Sequence, residues 1–368
     1  MLELADIFRS AGPDYRATFG ARMLPSHRRA LDDIAACRTA VLGGSLYACH
    51  DCGALDYRYH SCRNRHCPKC QDDRAQNWLD RVGARLLPCD HYLLTFTLPS
   101  QLRAIARAHQ QQVYSLLLRE AAASVQSLAD DPAWVGGTVG ILAVLHTWSR
   151  TLDYHPHAHL LVTAGGLSPD GTARVKPAYP RFLMPGYALA AIFRAKLRTT
   201  FQRAGLGLDL DPAVWQRPWT VHIQQIGRGQ HALRYLSRYV YRVALTNHSL
   251  ERFQNAQVTF RYTHARTRQP RRLTLPVHAF IARFLQHVLP RGFTKIRSYG
   301  LLSPGRRQDL ERARHLLELH PTATRTTGPS ASTALAVTPA IAPAHCCPVC
   351  RQRTMHFVHR FPRSRAPP

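Results

Sequence analysis

Acidic residues are scarce in this chain of 368 residues. Only 22 Asp and Glu stand against 49 Lys and Arg, a formal net charge of +27, and no acid follows Glu318. That balance argues against a cationic partner and favours a polyanion, because each phosphate neutralised by Lys or Arg releases condensed counterions. It also leaves little material for a carboxylate-built nuclease centre. Asp209-Leu-Asp211-Pro comes nearest, and it reads as a solvated turn. No uninterrupted apolar run approaches a membrane span, and MLELADIFRSAGPDY lacks the charged-then-apolar pattern of a secretory leader. A cytoplasmic location with reduced thiols is therefore expected. The ten cysteines then read as metal ligands rather than disulfides. The GxxxxGK[ST] loop is missing too, so no nucleotide-hydrolysis site of that type is expected.

What is present is unevenly distributed. Residues 1–40 read as helical, with Ser26 as N-cap before HRRALDDIAACR. DHYLLTFTL at 90–98 alternates large and β-branched residues and stops at Pro99, which predicts a strand. A long helix is expected from Gln101 to about Leu128, then strands at 138–147 and 157–163. Residues 186–204 carry Leu189, Phe193, Leu197 and Phe201 at helical spacing, a core stripe. Segments 219–226 and 257–263 read as extended and 277–288 as helical. From Pro321 to His345 the composition turns to Thr, Ala, Pro and Ser, a linker with too little apolar mass to pack. A basic tail follows, carrying Cys347-Pro-Val-Cys350 as half a metal site that His345, Cys346, His356 or His359 could complete.

The block from Tyr47 to Gln71 has no long apolar stretch and cannot fold on a core alone. Cys49-His-Asp-Cys52 and Cys67-Pro-Lys-Cys70 supply two CxxC knuckles, which predicts one closed tetrahedral Zn²⁺ site from Cys49, Cys52, Cys67 and Cys70. Cys62 and His66 lie within the block and could replace a ligand or support one. Arg58, Arg63, Arg65, Lys69 and Arg74 surround the knuckles and suggest contact with a phosphate backbone.

Two further segments carry chemistry. In TLDYHPHAHLLV at 151–162, His155, His157 and His159 occupy alternate positions, so on a strand they share one face. In HALRYLSRYVYR at 231–242, Tyr235 and Tyr239 stack on one face of a helix, and Arg234, Arg238 and Arg242 repeat every four residues about 100° round. A histidine pair can hold a divalent cation on a phosphodiester, and a tyrosine can attack that phosphorus. Imidazole suits Zn, Mn, Fe or Ni, and Mg²⁺ less well. Gln225, Asn247 and Asp153 are candidates for a third ligand.

Together these residues resemble the two-tyrosine rolling-circle transposases of the insertion-sequence 91 group, within the His-hydrophobic-His (HUH) endonucleases. The resemblance covers roughly residues 30–305, through CRTAVLGGSLYACHDCG, YHSCRNRHCPKCQ, HYLLTFTLP, HTWSRTLDYHPHAHLLVTAGG, YLSRYVYRVALTN and FLQHVLPRGFTKIRSYGLL. It implies an α+β fold: an HUH-type antiparallel sheet flanked by helices, preceded by a small zinc-binding module. His157 and His159 would hold catalytic Mg²⁺ or Mn²⁺, Tyr235 and Tyr239 would be nucleophiles, and the four cysteines would hold structural Zn²⁺. Arg234, Arg238, Arg242, Lys295 and Arg297 would contact DNA. The partner would be mainly single-stranded DNA at transposon ends and targets, in a bacterial cytoplasm on the nucleoid.

The expected layout is a helical and zinc-binding module at 1–85, a catalytic domain at 88–305, a helical end at 306–320, a linker at 321–345 and a tail at 346–368. The oligomeric state is open. One competing reading is a tyrosine recombinase using His231, Arg234 and Tyr262, which would need no metal. The other is a zinc-ribbon DNA-binding protein without catalysis. Neither explains HPHAH together with the paired tyrosines.

Overall fold

The computed structural model describes residues 2–70, 82–228, 244–264, 267–319 and 346–363. Helices α1 (Leu4–Phe19) and α2 (Pro25–Ala35) open the chain. Ser26 does not cap α2. The helix begins at Pro25, whose fixed φ and missing N–H suit a first turn, and Leu24 takes the cap position. Strands β1 (Gly44–Cys49) and β2 (Leu55–Tyr59) form an antiparallel hairpin, and β3 (Asp90–Thr97) follows. The long helix expected from Gln101 is divided at His109 (φ −118°, ψ 48°) into α3 (Arg103–Ala108) and α4 (Gln110–Ala129).

After α4 come β4 (Thr138–Trp148), β5 (Tyr154–Leu167), the short β6 (Arg174–Val175), α5 (Gly186–Arg203), α6 (Ala213–Gln216) and β7 (Val221–Arg228). The next elements are β8 (Leu250–Gln254), β9 (Gln257–Thr263), β10 (Pro270–Pro276), α7 (Val277–Leu285), β11 (Ile296–Gly300) and α8 (Arg307–Leu319). Last is β12 (Met355–Phe361). Among the described residues no helix is long and apolar enough to cross a membrane.

The main sheet runs β11-β4-β5-β3-β7, with β6 on β5 and every neighbouring pair antiparallel. Alternation sorts its side chains onto two covered faces. Leu94 and Phe96 of β3, Ile141, Ala143 and Leu145 of β4, and Leu160 and Val162 of β5 join the buried stripe of α5 (Leu189, Phe193, Leu197, Phe201) and the apolar side of α4. The alternate residues Leu93, Leu142, Val144 and Leu161 cluster with Leu310, Ala313 and Leu317 of α8. The fold is therefore α+β, an antiparallel sheet between helices.

Two smaller sheets complete the architecture, β10-β9-β8 and β12-β1-β2. Phe260 of β9 and Phe280 and Phe284 of α7 share an apolar cluster with Leu4, Ile7, Phe8, Leu31 and Ile34 of α1 and α2. Phe8 meets Phe284 edge to face at 5.4 Å. Cys37, Cys67 and Cys70 lie in the same cluster, so the start of the chain is seated on residues 245–288.

Candidate active site and metal centres

β4 and β5 form a hairpin in which His146 lies directly opposite His157. On the other side of β5, Thr95 of β3 lies opposite His159. His146, His157 and His159 therefore project from one sheet face, the face that Leu142, Val144 and Leu161 share. One ring nitrogen from each can be chosen so that all three lie within 4.8 Å of one another. The ring centroids are 5.4 Å apart for His146 and His157, 4.7 Å for His146 and His159, and 4.8 Å for His157 and His159.

The partners of two of these rings lie on the Nδ1 side. Nδ1 of His157 donates to the His155 carbonyl at 2.7 Å, and Nδ1 of His159 lies 3.1 Å from the Thr95 hydroxyl. In both rings the support sits on Nδ1, which presents Nε2 as the ligand atom. Burial pulls His157 down to about 4; it also pulls His159 well below the ordinary histidine range, with His157 and Lys295 adding to the effect. Both imidazoles are thus neutral at neutral pH, the form that binds metal. Three imidazoles at this spacing fit a nitrogen-donor cation site better than the oxygen-rich shell that Mg²⁺ prefers.

The third member of the trio is His146, which the sequence reading missed. The three proposed third ligands are used elsewhere. Asp153 pairs with Arg283 at 2.9 Å, Asn247 Oδ1 accepts the Leu4 N–H at 3.1 Å, and Gln225 is exposed with its amide 3.5 Å from Asp90. His155 is also not in the trio, because its Nδ1 accepts from Arg103 at 2.7 Å. The signal for His146 lay in strand pairing: once β4 and β5 are taken as one hairpin, position 146 falls opposite 157.

Trp148 stacks on His146 at 4.6 Å, and the Lys295 ammonium lies 5.0 Å from the Trp148 ring centre. Burial, with the Arg65 charge added, brings Lys295 down to about 7. Arg297 is directed differently, donating to the Ser115 hydroxyl of α4 at 2.9 Å. Tyr235, Tyr239, Arg234, Arg238 and Arg242 lie outside the described residues, as does His231. Tyr262 of the recombinase reading belongs to β9, in a separate sheet from the histidines. Asp209 and Asp211 are exposed, and Asp211 caps the turn into α6 by accepting from Ala213 N at 2.9 Å.

The cysteines group differently from the expected quartet. Cys67 and Cys70 meet Cys37 and Cys62, whereas Cys49 and Cys52 meet Cys347 and Cys350. In the first group, Cys37–Cys70, Cys62–Cys70 and Cys37–Cys67 have Sγ–Sγ separations of 3.6 Å. A zinc tetrahedron with Zn–S bonds near 2.3 Å has edges of about 3.8 Å, and a disulfide would bring two sulfurs to about 2.05 Å. Four sulfurs at such spacing fit Zn²⁺. The quartet fails because each CxxC knuckle finds its partner thiolates outside the other: Cys37 after α2 and Cys62 for one, and the C-terminal pair about 300 residues on for the other.

The surrounding cations are largely spent on the protein itself. Arg65 donates to the Phe293 and Pro290 carbonyls at 2.6 and 2.7 Å, and Nε2 of the half-buried His66 accepts from Leu289 N at 3.3 Å. Lys69 pairs with Glu3, and Arg58 with Asp56 at 2.6 Å. Arg74 lies outside the described residues.

Comparison with known proteins covers both regions. The family described as "Putative transposase" matches residues 140–309, which contain the three histidines and both tyrosines. The "Transposase zinc-binding domain" matches residues 7–98, which contain Cys37 to Cys70 but neither Cys347 nor Cys350. The "Putative transposase y4qJ" of Sinorhizobium fredii (strain NBRC 101917 / NGR234) is 37% identical over 337 residues, 86% of this chain and 84% of that one. The "Transposase for insertion sequence element IS801" of Pseudomonas savastanoi pv. phaseolicola is 30% identical over 287 residues, 73% and 68% of the respective chains. No solved structure matches the chain.

Proposed function

The chain belongs to the transposases of the insertion-sequence 91 family, and from that premise we propose that it cuts and rejoins single-stranded DNA through tyrosine. The observation that carries this reading is the convergence of His146, His157 and His159 on one face of the sheet. A Mn²⁺ or Mg²⁺ ion held there would polarise the scissile phosphate and stabilise its developing charge.

The protein's own groups do the rest. Tyr235 or Tyr239 attacks the phosphorus through its phenolic oxygen. The bond to the 3′ oxygen breaks, that oxygen takes a proton, and the DNA is left as a 5′-phosphotyrosine with a free 3′-OH. The other tyrosine opens a second strand in the same way. Each free 3′-OH then displaces a tyrosine, so the phosphodiester energy is conserved and no nucleotide is consumed. Arg234, Arg238 and Arg242, spaced every four residues in the same segment, supply charge for the flanking phosphates and for the phenolate form of the nucleophile. Lys295, beside Trp148 at the edge of the histidine cluster, is held at about 7 by burial, and a strand phosphate beside it would favour its ammonium form.

Incubation of labelled single-stranded oligonucleotides from element ends with protein and Mn²⁺ tests the reading. The expected result is a metal-dependent covalent adduct through the 5′-phosphate. It should be absent from His157→Ala and from the Tyr235→Phe/Tyr239→Phe double variant. A 3′-phosphate adduct formed without metal would replace this reading with the recombinase one.

A further inference from the structure

We propose that Cys49, Cys52, Cys347 and Cys350 form a second zinc centre that fastens the C-terminal end of the chain onto its N-terminal module. Cys49 and Cys350 Sγ are 3.5 Å apart, and Cys52 and Cys347 Sγ 3.6 Å. All four sulfurs lie within 4.8 Å of one another. These separations sit at the edge length of a zinc–thiolate tetrahedron, about 3.8 Å, and far from a disulfide bond.

The backbone makes the same case independently. Two turns, about 300 residues apart in sequence, repeat one hydrogen-bond pattern. In Cys49-His-Asp-Cys52, Cys49 N donates to Ala54 O at 2.9 Å and Gly53 N to Cys49 O at 3.0 Å. In Cys347-Pro-Val-Cys350, Cys347 N donates to Gln352 O at 2.8 Å and Arg351 N to Cys347 O at 3.0 Å. The residue after each second cysteine is left-handed, Gly53 at φ 67° and Arg351 at φ 62°. An arginine adopts that conformation at a cost, which something must offset. Paired turns of this kind are zinc knuckles, and here they face each other.

The strand that follows shows why a metal is needed. β12 pairs antiparallel with β1, from Gly44 opposite Phe361 to Cys49 opposite Met355. Yet its five central residues, His356 to Arg360, are all exposed. A three-stranded sheet with so little buried apolar surface is marginal on backbone hydrogen bonds alone. Metal-binding free energy is what small modules of this kind use in place of a core. Thr354 adds a further tie, its hydroxyl donating to Asp51 at 2.6 Å and lying 3.3 Å from Cys49 Sγ. The ribbon is thus assembled from both ends of the chain, with the centre at Cys37, Cys62, Cys67 and Cys70 left complete without the C-terminal segment.

Two measurements on the full chain test this. The first counts zinc in a His146→Ala/His157→Ala background, so that only thiolate-held metal is scored. Two equivalents are expected, falling to one in Cys347→Ser/Cys350→Ser. An unchanged count would mean that Cys49 and Cys52 find their partners elsewhere and would overturn the proposal. The second inserts a site-specific protease sequence between Thr327 and Gly328. After cleavage the C-terminal fragment should co-elute with the body of the wild-type protein and leave when zinc is chelated. Spontaneous release from the zinc-loaded protein, or retention after complete chelation, would overturn the fastening. This arm uses no cysteine variant and does not depend on one folding.

Discussion

The hydroxyl of Thr95 on β3 lies 3.1 Å from Nδ1 of His159 on β5. The contact limits how far that imidazole can rotate and engages it on the Nδ1 side. Partners of this kind typically alter metal affinity 10- to 100-fold when removed. Thr95→Val keeps the shape and removes the hydrogen bond. Calorimetric titration with Mn²⁺ should show affinity weakened by roughly tenfold or more, with unchanged stability of the metal-free protein to within about 1 kcal/mol. Wild-type affinity in Thr95→Val would mean that the ring is held by packing alone.

His146 should count as a full ligand. Changing it to Ala should abolish Mn²⁺ binding and DNA cleavage to the same degree as His157→Ala, whereas His155→Ala should retain metal. Equal loss in His155→Ala and full binding in His146→Ala would restore the alternate-position trio of the strand, against the geometry.

Much of this site was legible before any fold was known, for reasons that differ by residue. His157 and His159 declared themselves because a strand has a period of two, and the buried run after them marked the strand. β3, β4, β5 and β9 were readable from alternation or apolar runs bounded by turns. His146 was not, since its role depends on which strands pair, and Thr95 only joins the site across a strand contact more than 60 residues long in sequence. The cysteines show the limit most sharply. Spacing correctly indicated zinc knuckles, but four thiolates can be shared in several ways, and no local rule links Cys52 to Cys347. The half-motif at 347–350 was the visible trace of that link.

Arg65 ties the cysteine module to the loop that leads to Lys295. Its two donated hydrogen bonds reach the carbonyls of Pro290 and Phe293. Arg65→Ala strands both acceptors at a partly buried interface and should cost about 1–3 kcal/mol in chemical denaturation. Arg65→Lys should recover less than half of that, because one ammonium does not reproduce the guanidinium fork. Full recovery by lysine would show that charge, and not the fork, makes the contact.

Acid should destabilise the protein through its buried histidines. His91 is completely buried on β3, and burial holds its pKa at about 4. The unfolded chain, with a pKa of about 6.5, therefore binds the proton first. The contribution of His91 to stability is complete above pH 6.5 and is lost as pH falls toward 4. The slope is at most about 1.4 kcal/mol per pH unit, roughly 3 kcal/mol over the window. Denaturation midpoints of His91→Leu measured between pH 4 and 7 should vary less steeply than wild type by up to one proton. Parallel profiles would show that His91 titrates normally in the folded chain.

The proposed function has tyrosine in the 231–242 segment attacking DNA under the control of the histidine cluster. Its most direct test is mass-spectrometric mapping of the nucleotide-bearing peptide after reaction with a single-stranded element end. The nucleotide is expected on Tyr235 or Tyr239, linked through its 5′-phosphate, only when metal is present and His146, His157 and His159 are intact. A nucleotide on Tyr262, or on either paired tyrosine without metal, would contradict it.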